Sequence, residues 1–330
     1  MYLPPNYEIC LLFMFCTMIC WGSWANTMKL CPGYRFQLFY WDYVIGLLVG
    51  VITLGLTLGS LSHTGKAFFF DVEAAPLRAI LLAAAGGALF NMANLLLVAA
   101  IEIAGMAVAF PVGIGLALVV GALSSYVLSP HGNAWLLFGG ITLVVVAIIC
   151  DALAYREREL GKKASIRGII LSLVCGVLMG TFYPLVSHAM STPNAPGPYG
   201  IAFFFVLGVA ICALPVNFIL MKKPIDGASP VSMTGYRNAS AKWHVAGILG
   251  GAIWIAGATL NFVASRVNYV GPAVSYSIGQ GATLVSALWG VFIWREFASP
   301  SPRILKLLVT MFICFVAGLS AIALAPLFSN

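Results

Sequence analysis

The chain has 330 residues, of which 61% are hydrophobic and 8% are charged, and its formal net charge is +7 at pH 7. A soluble domain carries roughly 25% charged residues, and a soluble chain of this length could not hide so much apolar surface. The composition therefore excludes a soluble globular protein and predicts an integral membrane protein.

Ten stretches of the sequence are long enough to cross about 30 Å of hydrocarbon as helices. They lack the alternation of barrel strands, so the predicted fold is an all-α membrane protein. The first stretch is too long for a signal peptide and has no basic region before it, so we interpret it as a span. Predicted spans 1 to 10 are residues 7–30, 37–59, 77–100, 105–128, 134–152, 166–190, 199–221, 243–265, 270–294 and 303–326.

Spans 4 and 9 contain related sequences. Residues 105–119 and 271–285 are identical at seven of fifteen positions, which are Gly105/Gly271, Ala107/Ala273, Val108/Val274, Gly113/Gly279, Gly115/Gly281, Leu118/Leu284 and Val119/Val285. Spans 1–5 therefore correspond to spans 6–10, and five is odd, so the second copy has the opposite orientation. The sequence predicts a 5+5 inverted repeat. Residues 1–152 form the first repeat, 153–165 a cytoplasmic linker and 166–330 the second repeat.

The basic residues are distributed unevenly over the two ends of the predicted bundle. Only Lys66, Arg78 and Arg266 fall at one end, and the other 14 of the 17 lie at the opposite end, which we call the basic end. Short loops rich in Lys and Arg stay in the cytoplasm. We therefore expect a protein of the plasma (cell inner) membrane with both termini outside.

Uncharged polar and aromatic side chains near the middle of the spans mark a candidate solute path. Such a lining suits a neutral polar solute, because rings stack on it and amides hydrogen-bond to it. Amides also join helices, and tryptophans also pack in cores, so both interpretations stay open. The candidate solute-binding residues are Trp21, Trp24, Asn91, Asn94, Trp254, Tyr276 and Gln280.

Asp42 lies within span 2, towards the basic end. A carboxylate inside a membrane span is a functional candidate by default, so Asp42 is the candidate residue for coupling to protons. The alternative is a fixed salt bridge with Lys29 or Arg35. Glu102 is expected in a turn between spans 3 and 4, and Glu296 is expected to cap span 9.

No catalytic residue, cofactor or metal site is predicted. The chain contains neither His-Glu-x-x-His nor Gly-x-Gly-Asp, and its eight cysteines form no Cys-x-x-Cys pair. We therefore expect that the protein is not an enzyme. Nucleic-acid binding would need a basic domain outside the membrane, and no segment is long enough to form one.

Several motifs resemble the drug/metabolite transporter superfamily. Trp-Arg-Glu-Phe at 294–297 resembles the hydrophobic-then-Glu ending of that superfamily, and 271–280 is similar to its glucose/ribose porter branch, which includes sugar–proton symporters. Gly-Ser-Trp at 22–24 and Gln-x-x-Tyr-x-Asp-Tyr at 37–43 are similar to ureide permeases. Plant ureide permeases have a long central loop with a phosphate-loop-like motif, which the short 153–165 segment lacks.

The residues and the resemblance together predict a secondary transporter that moves a small neutral polar solute by alternating access. The resemblance implies a sugar, or a nucleobase- or ureide-type heterocycle, taken up together with protons. The alternative is a metabolite efflux permease or exchanger of the same superfamily, and a non-transporting receptor or scaffold is a more remote one. The expected partners are the solute, protons and the lipid bilayer.

Overall fold

The computed structural model describes residues 1–60, 67–104, 109–158, 165–225, 227–298 and 300–328, and within these ranges it contains helices and no β-strand. Two short helices, Phe68–Glu73 and Met233–Arg237, lie between the long ones. The long helices, numbered in chain order, are α1 (Tyr7–Ser23), α2 (Phe36–Leu56), α3 (Leu77–Ala104), α4 (Gly115–Leu128), α5 (Ala134–Arg158), α6 (Ile166–Met190), α7 (Pro198–Lys222), α8 (Ala241–Arg266), α9 (Pro272–Ile293) and α10 (Pro302–Leu324).

These ten helices agree with the ten predicted spans. In the described residues, nine segments are long and apolar enough to cross a membrane, and the α4 region, Val112–Leu128, is a shorter apolar helix. Large apolar side chains lie exposed on the outside of the bundle, among them Ile52, Val146, Ile211 and Ile313. Lipid accommodates such a surface and water does not. The prediction of an all-α membrane protein is therefore confirmed.

Helices of the first half pack mainly against helices of the second half. α2 lies against α8, α3 lies against α6 and α7, α1 contacts α8 and α9, and α5 contacts α10. Glycines bring two of these pairs together so closely that a Cβ would collide with the facing backbone: Gly46 and Gly251 between α2 and α8, and Gly87 and Gly208 between α3 and α7. Small residues allow this close approach in lipid. The two pairs are thus built alike.

Three helical segments are irregular. α1 changes to a 3-10 helix at Trp24, which continues to Leu30. α9 is interrupted between Gly279 and Ala282, and a π-helical turn, Phe110–Ile114, precedes α4. The π-helical turn ends at Ile114, which corresponds in the repeated sequence to Gln280 at the interruption of α9. Interrupted helices of this kind often accompany ligand sites in transporters.

Two helix boundaries differ from the prediction. α3 continues to Ala104, so Glu102 lies in its last turn and not in a connecting turn. α5 continues to Arg158, beyond the predicted end at 152, because its last charged residues form a helical turn that hydropathy alone assigns to a loop. The extension places Asp151, the last residue but one of the predicted span, seven residues before the end of the helix. The predicted linker thus begins within α5, and residues 159–164 lie outside the described residues.

Candidate solute site and buried carboxylates

Stacked aromatic rings fill the middle of the bundle between α1, α3, α7 and α8. The Trp21 and Trp254 rings stack with their centroids 5.6 Å apart and 14° between their planes. Trp254 also stacks on Phe90 at 4.1 Å and on Phe205 at 6.0 Å. The Trp21 Nε1–H group donates to the Trp254 carbonyl oxygen at 3.3 Å. Trp21 and Trp254, two of the three predicted tryptophans, therefore meet where the two halves of the chain pack together.

A second group of rings on α1 and α2 continues this cluster. The Trp24 and Tyr43 ring centroids are 4.9 Å apart, and Tyr43 stacks on Tyr40 at 5.3 Å. The Tyr40 hydroxyl donates to Asn91 Oδ1 at 2.8 Å. The Tyr43 hydroxyl is buried and has no hydrogen-bond partner among the described residues. A buried unpaired hydroxyl costs about 1–3 kcal/mol, so a ligand that pairs with it gains affinity.

The two predicted amides on α3 differ in their partners. Asn91 is fully buried, accepts the Tyr40 hydrogen bond, and donates from Nδ2 to Cys212 Sγ at 3.4 Å. Asn94, one turn further along α3, is buried, and its Nδ2 has no hydrogen-bond partner in the described part of the chain. Most buried polar groups in proteins have a partner. Asn94 is therefore an exception, a buried amide donor that no described residue pairs.

Tyr276 and Gln280 on α9 also have different surroundings. Tyr276 is fully buried beside Gly121, and its hydroxyl donates to the Ala117 and Met179 carbonyl oxygens at 3.2 and 3.3 Å. These bonds join α9 to α4 and α6. Gln280 lies at the interruption of α9 and is 8% exposed. Its side-chain amide makes no hydrogen bond to any described residue.

A polar network that sequence reasoning missed joins α6, α8 and α9. The Tyr183 hydroxyl donates to Asn261 Oδ1 at 2.5 Å, and Asn261 Nδ2 donates to the Ser275 carbonyl oxygen at 2.9 Å. Ser275 Oγ donates to the Asn261 carbonyl oxygen at 3.0 Å. The sequence did contain a signal, since Asn261 lies inside predicted span 8. Because these polar atoms satisfy one another, the network holds helices together.

Asp42 lies near the basic end of α2 and is 1% exposed. The Tyr34 hydroxyl donates to Asp42 Oδ2 at 3.1 Å, and the Tyr236 hydroxyl donates to Oδ1 at 2.7 Å. His244 Nδ1 lies 2.9 Å from both carboxylate oxygens. Lys29, one of the two residues expected as a salt-bridge partner, pairs with Glu296 instead.

The two tyrosine hydroxyls are held as donors to Asp42. Burial and the Asp42 carboxylate raise the pKa of Tyr34 and Tyr236, so both phenols keep their protons and remain donors. Hydrogen bonds to a carboxylate favour its charged form even when it is buried. No sequence pattern could reveal this cluster, because Tyr236 and His244 are 194 and 202 residues away from Asp42.

Asp151 on α5 is a buried carboxylate that sequence reasoning missed. Its side chain is 6% exposed, and its Oδ1 atom has no hydrogen-bond partner among the described residues. The ion pairs of the described chain do not include it. The sequence offered a signal, because Asp151 directly follows the apolar run 143–150. Asp151 lies one residue before the predicted end of span 5 at 152, so it was not counted among the carboxylates inside a span.

Hydrogen bonds and an ion pair join the end of α1 to the end of α9 at the basic end of the bundle. The contacts are Ser286 Oγ to the Gly22 carbonyl oxygen at 3.1 Å, Trp289 Nε1 to Ser23 Oγ at 2.9 Å, Trp294 Nε1 to Asn26 Oδ1 at 2.5 Å, and Lys29 Nζ to Glu296 Oε1 at 2.6 Å. They hold the 3-10 segment of α1 against α9.

Glu296 is the centre of an ion cluster at this end. Besides Lys29, it accepts a hydrogen bond from the Tyr155 hydroxyl at 2.6 Å and lies 3.6 Å from Arg158. Burial opposes the charge of Glu296, but Lys29 and Tyr155 outweigh it and lower the pKa of this carboxyl below its ordinary value. Glu296 thus fastens α9 to both α1 and α5.

A polar pocket opens at the other end of the bundle, between the ends of α4, α6 and α8 and the start of α9. Its lining includes Ser129, His131, Ser187, Ser191, Arg266 and Asn268. A smaller recess lies at the basic end between α2, α3 and α7. In the ranges that the structure describes, no group of three His, Cys, Asp or Glu side chains is arranged to hold a metal ion. Rings and amides are thus the groups that the centre of the bundle offers.

The model of a known family, described as "Sugar transport protein", matches residues 48–325. This match covers the last nine residues of α2 and all of the helices from α3 to α10. The chain belongs to the sugar transport protein family.

Relatives within and around this family are transporters by name. Ureide permease 1 of Arabidopsis thaliana is 21% identical over 388 residues, an alignment that covers 98% of each chain. The glucose uptake protein GlcU of Bacillus subtilis (strain 168) is 24% identical over 252 residues, which cover 74% of this chain and 79% of GlcU. The resemblance to sugar and ureide transporters is confirmed. The family member described here is therefore a membrane transporter of small solutes and not an enzyme.

The fold is also shared with a solved crystal structure. That structure superimposes with a TM-score of 0.67 over 98% of this chain and 99% of the other, at 19% sequence identity.

Proposed function

We propose that the protein is a secondary transporter that moves a small neutral polar solute by alternating access. The observation that carries this proposal is the pair of unsatisfied polar atoms beside the stacked rings. Among the described residues, Tyr43 OH and Asn94 Nδ2 are buried without hydrogen-bond partners. The Tyr43 ring contacts the rings of Trp24 and Tyr40, and Asn94 lies one turn from Asn91. A neutral solute that stacks on a ring and hydrogen-bonds to these two atoms removes the cost of leaving them unpaired.

The proposed solute is a sugar or a nucleobase- or ureide-type heterocycle. Both classes combine a face that stacks on aromatic rings with groups that hydrogen-bond to amides and hydroxyls. The names of the relatives support both classes, because ureide permease 1 and GlcU are similar to this chain. The proposed solute-binding residues are Trp21, Trp24, Asn91, Asn94, Trp254, Tyr276 and Gln280.

The two ends of the bundle support alternating access. α1 is fastened to α9 at the basic end through contacts such as Trp289–Ser23 and Lys29–Glu296, while a polar pocket opens at the other end. The conformation then has α1 and α9 closed at the basic end. The distribution of the basic residues supports a cytoplasmic basic end and outside termini in the plasma membrane.

The proposed architecture is a 5+5 inverted repeat, with residues 1–152 and 166–330 as its halves. The matching glycine contacts of α2 with α8 and of α3 with α7 support it, as do the interruptions at equivalent places before α4 and in α9. A solute site at the interface of such repeats is typical of secondary transporters.

Proton-coupled uptake is part of the proposal, and Asp42 is the proposed coupling residue together with His244. A histidine changes its charge between about pH 5 and pH 8. The His244 side chain is 26% exposed, so it can exchange protons with water, and its Nδ1 contacts the buried Asp42 carboxylate. A proton on His244 would turn this contact into an ion pair. Separating the pair in the other conformation would return the proton.

A binding assay followed by a transport assay tests the function. Sugars, nucleobases and ureides are screened for an increase in Tm of the detergent-purified protein, since a ligand stabilises the state that it binds. Hits are then tested in proteoliposomes. Accumulation driven by an imposed proton gradient supports symport, whereas flux only with solute on both sides indicates exchange. No saturable flux for any hit would reject the transporter.

Variants test the proposed site itself. Asn94→Ala and Gln280→Ala are each expected to weaken solute binding by about 1–3 kcal/mol, because each leaves a polar group of the solute unpaired. Asn217→Ala is the matched control, since Asn217 is a fully buried amide on α7 whose Nδ2 group donates to the Gln37 carbonyl oxygen. Unchanged affinity in the Asn94 and Gln280 variants would move the site elsewhere.

A further inference from the structure

Asp151 lies inside the membrane-spanning part of α5, seven residues before the end of the helix at Arg158. At 1.5 Å per residue, this is about 10 Å below the basic end. The side chain is buried, and Oδ1 lacks any hydrogen-bond donor among the described residues. Its neighbours along α5, Cys150 and Ala152, are buried too.

Among the described residues, no cation forms an ion pair with Asp151. Glu296, beyond the end of α9, is close enough to interact with it electrostatically, as are Tyr155 and Cys150 on α5 itself. The basic groups that pair with Glu296 are Lys29 and Arg158.

The facing helix α10 supplies no partner for Asp151 either. Its Cys314 interacts with Cys150, and its Arg303 pairs with Glu157 at 3.5 Å. Asp151 therefore faces one negative charge and no paired positive charge in the part of the chain that the structure describes.

An ionised carboxylate in such a place is strongly disfavoured. Moving a carboxylate from water into a low-dielectric interior costs several kcal/mol, and in practice the group takes up a proton instead. The Glu296 charge adds to this cost, because like charges oppose each other's ionisation. Asp42 differs, since Tyr34, Tyr236 and His244 supply donors to its oxygens.

We propose that Asp151 is a proton-binding site, occupied in this conformation as a neutral carboxylic acid. The site deepens the proposed transport function and rests on it for its place in the cycle, while its protonation stands on the burial of Asp151 alone. When α1 and α9 separate at the basic end, water reaches Asp151. The acid then loses its proton to water and becomes a carboxylate, and closing the bundle reverses the step.

Infrared difference spectroscopy tests the protonation directly. The carbonyl-stretching band of a protonated carboxylic acid is recorded at pH 7 in H2O and in D2O for the reconstituted full chain. The chain has only ten acidic side chains, and exposed ones are ionised at this pH, so one buried acid is detectable. The band is expected in the wild type and absent in Asp151→Asn. Asp42→Asn is the matched control and is expected to keep it.

A conservative variant keeps the test decisive if Asp151→Asn folds poorly. Asp151→Glu retains a carboxyl group, so it is expected to keep a protonated band at a shifted frequency. A band that persists in Asp151→Asn, or a wild type without a band, would overturn the proposal.

Transport measurements separate this proposal from the proposed function. Solute counterflow by the wild type tests the transporter, whatever the state of Asp151. If counterflow is present, Asp151→Asn is expected to reduce proton-driven accumulation at least tenfold. Accumulation at the wild-type level would remove Asp151 from the coupling step. A wild type that has the infrared band but no flux would reject transport and leave the proton site standing.

Discussion

Asp42 and Asp151 are the same side chain at nearly the same depth, about 10 Å from the basic end of the bundle. Asp42 accepts hydrogen bonds from two tyrosines and contacts His244, whereas Asp151 has an unpaired oxygen. Two carboxylates at one depth thus have different partners, and most of the donors to Asp42 come from the other half of the chain.

The largest expected effect is that of Asp42→Asn on stability. The amide has no charge to stabilise, and its Nδ2 group meets hydroxyl and imidazole donors that need an acceptor. We expect a loss of about 3 kcal/mol in the free energy of unfolding at pH 7, as for other broken buried ion pairs. Denaturation in detergent, followed by tryptophan fluorescence, measures it. A variant as stable as the wild type would show that the Asp42 cluster is not held by charge.

Removing one hydrogen-bond donor to Asp42 tests how much that donor stabilises the Asp42 cluster. Tyr236→Phe keeps the ring and deletes the hydroxyl bonded to Asp42 Oδ1, so we expect a loss of about 1.5 kcal/mol. In the Asp42→Asn background the same change should cost much less, because the charged acceptor is already gone. Tyr269→Phe at the other end, whose hydroxyl bonds to the Pro5 carbonyl oxygen, is the control. Fully additive losses would mean that Tyr236 stabilises the fold by another route.

Glu296→Gln is expected to cost about 1 kcal/mol at pH 7, a moderate value because Lys29 is partly exposed. The pKa of Glu296 is lowered from its ordinary value of 4.5 in the folded protein, so its contribution is present above that value. The contribution is lost as the pH falls through the lower folded-state pKa. The stability difference between wild type and variant, measured from pH 7 down to pH 3, should therefore shrink towards zero. A difference that grows on acidification would contradict the sign of this shift.

The smallest expected effect is that of Asp151→Asn on stability. A neutral amide replaces a neutral acid of nearly the same shape, so we expect a change below about 0.5 kcal/mol at pH 7. The measurement is the same denaturation experiment as for Asp42→Asn, run side by side. A loss as large as that of the Asp42 variant would mean that Asp151 is ionised and paired, and the contrast between the two aspartates would disappear.

The sequence predicted the ten helices because long apolar runs have few other structures in lipid. The sequence also predicted Trp21 and Trp254 as residues of one site, since residues near the middle of spans tend to meet. The interruption at Gln280 could be anticipated from Gly279 and Gly281, whereas the change of helix type at Trp24 could not. A 3-10 segment there depends on contacts with α9 that are distant in sequence.

The two buried carboxylates show which parts of the candidate site the sequence could and could not predict. Asp42 was found because it stands in an apolar stretch, but its partner His244 lies at the start of another helix, where a sequence suggests only a surface residue. Asp151 was missed although the predicted span 134–152 contains it, because it lies one residue before the predicted end of that span, where a charged side chain is expected to reach water.

The glycine contacts described above also determine which parts of the bundle are stiff. Where Gly46 meets Ile248 and Gly87 meets Phe205, backbone touches backbone, with no side chain between them to change rotamer. The pair of α2 with α8 and the pair of α3 with α7 therefore each behave as a rigid unit. Any movement of the helices relative to one another therefore takes place at interfaces formed by side chains, such as the α1–α9 contact. A methyl group added at one of these glycines would push the two backbones apart. The same methyl group in the α1–α9 contact would only require neighbouring side chains to repack.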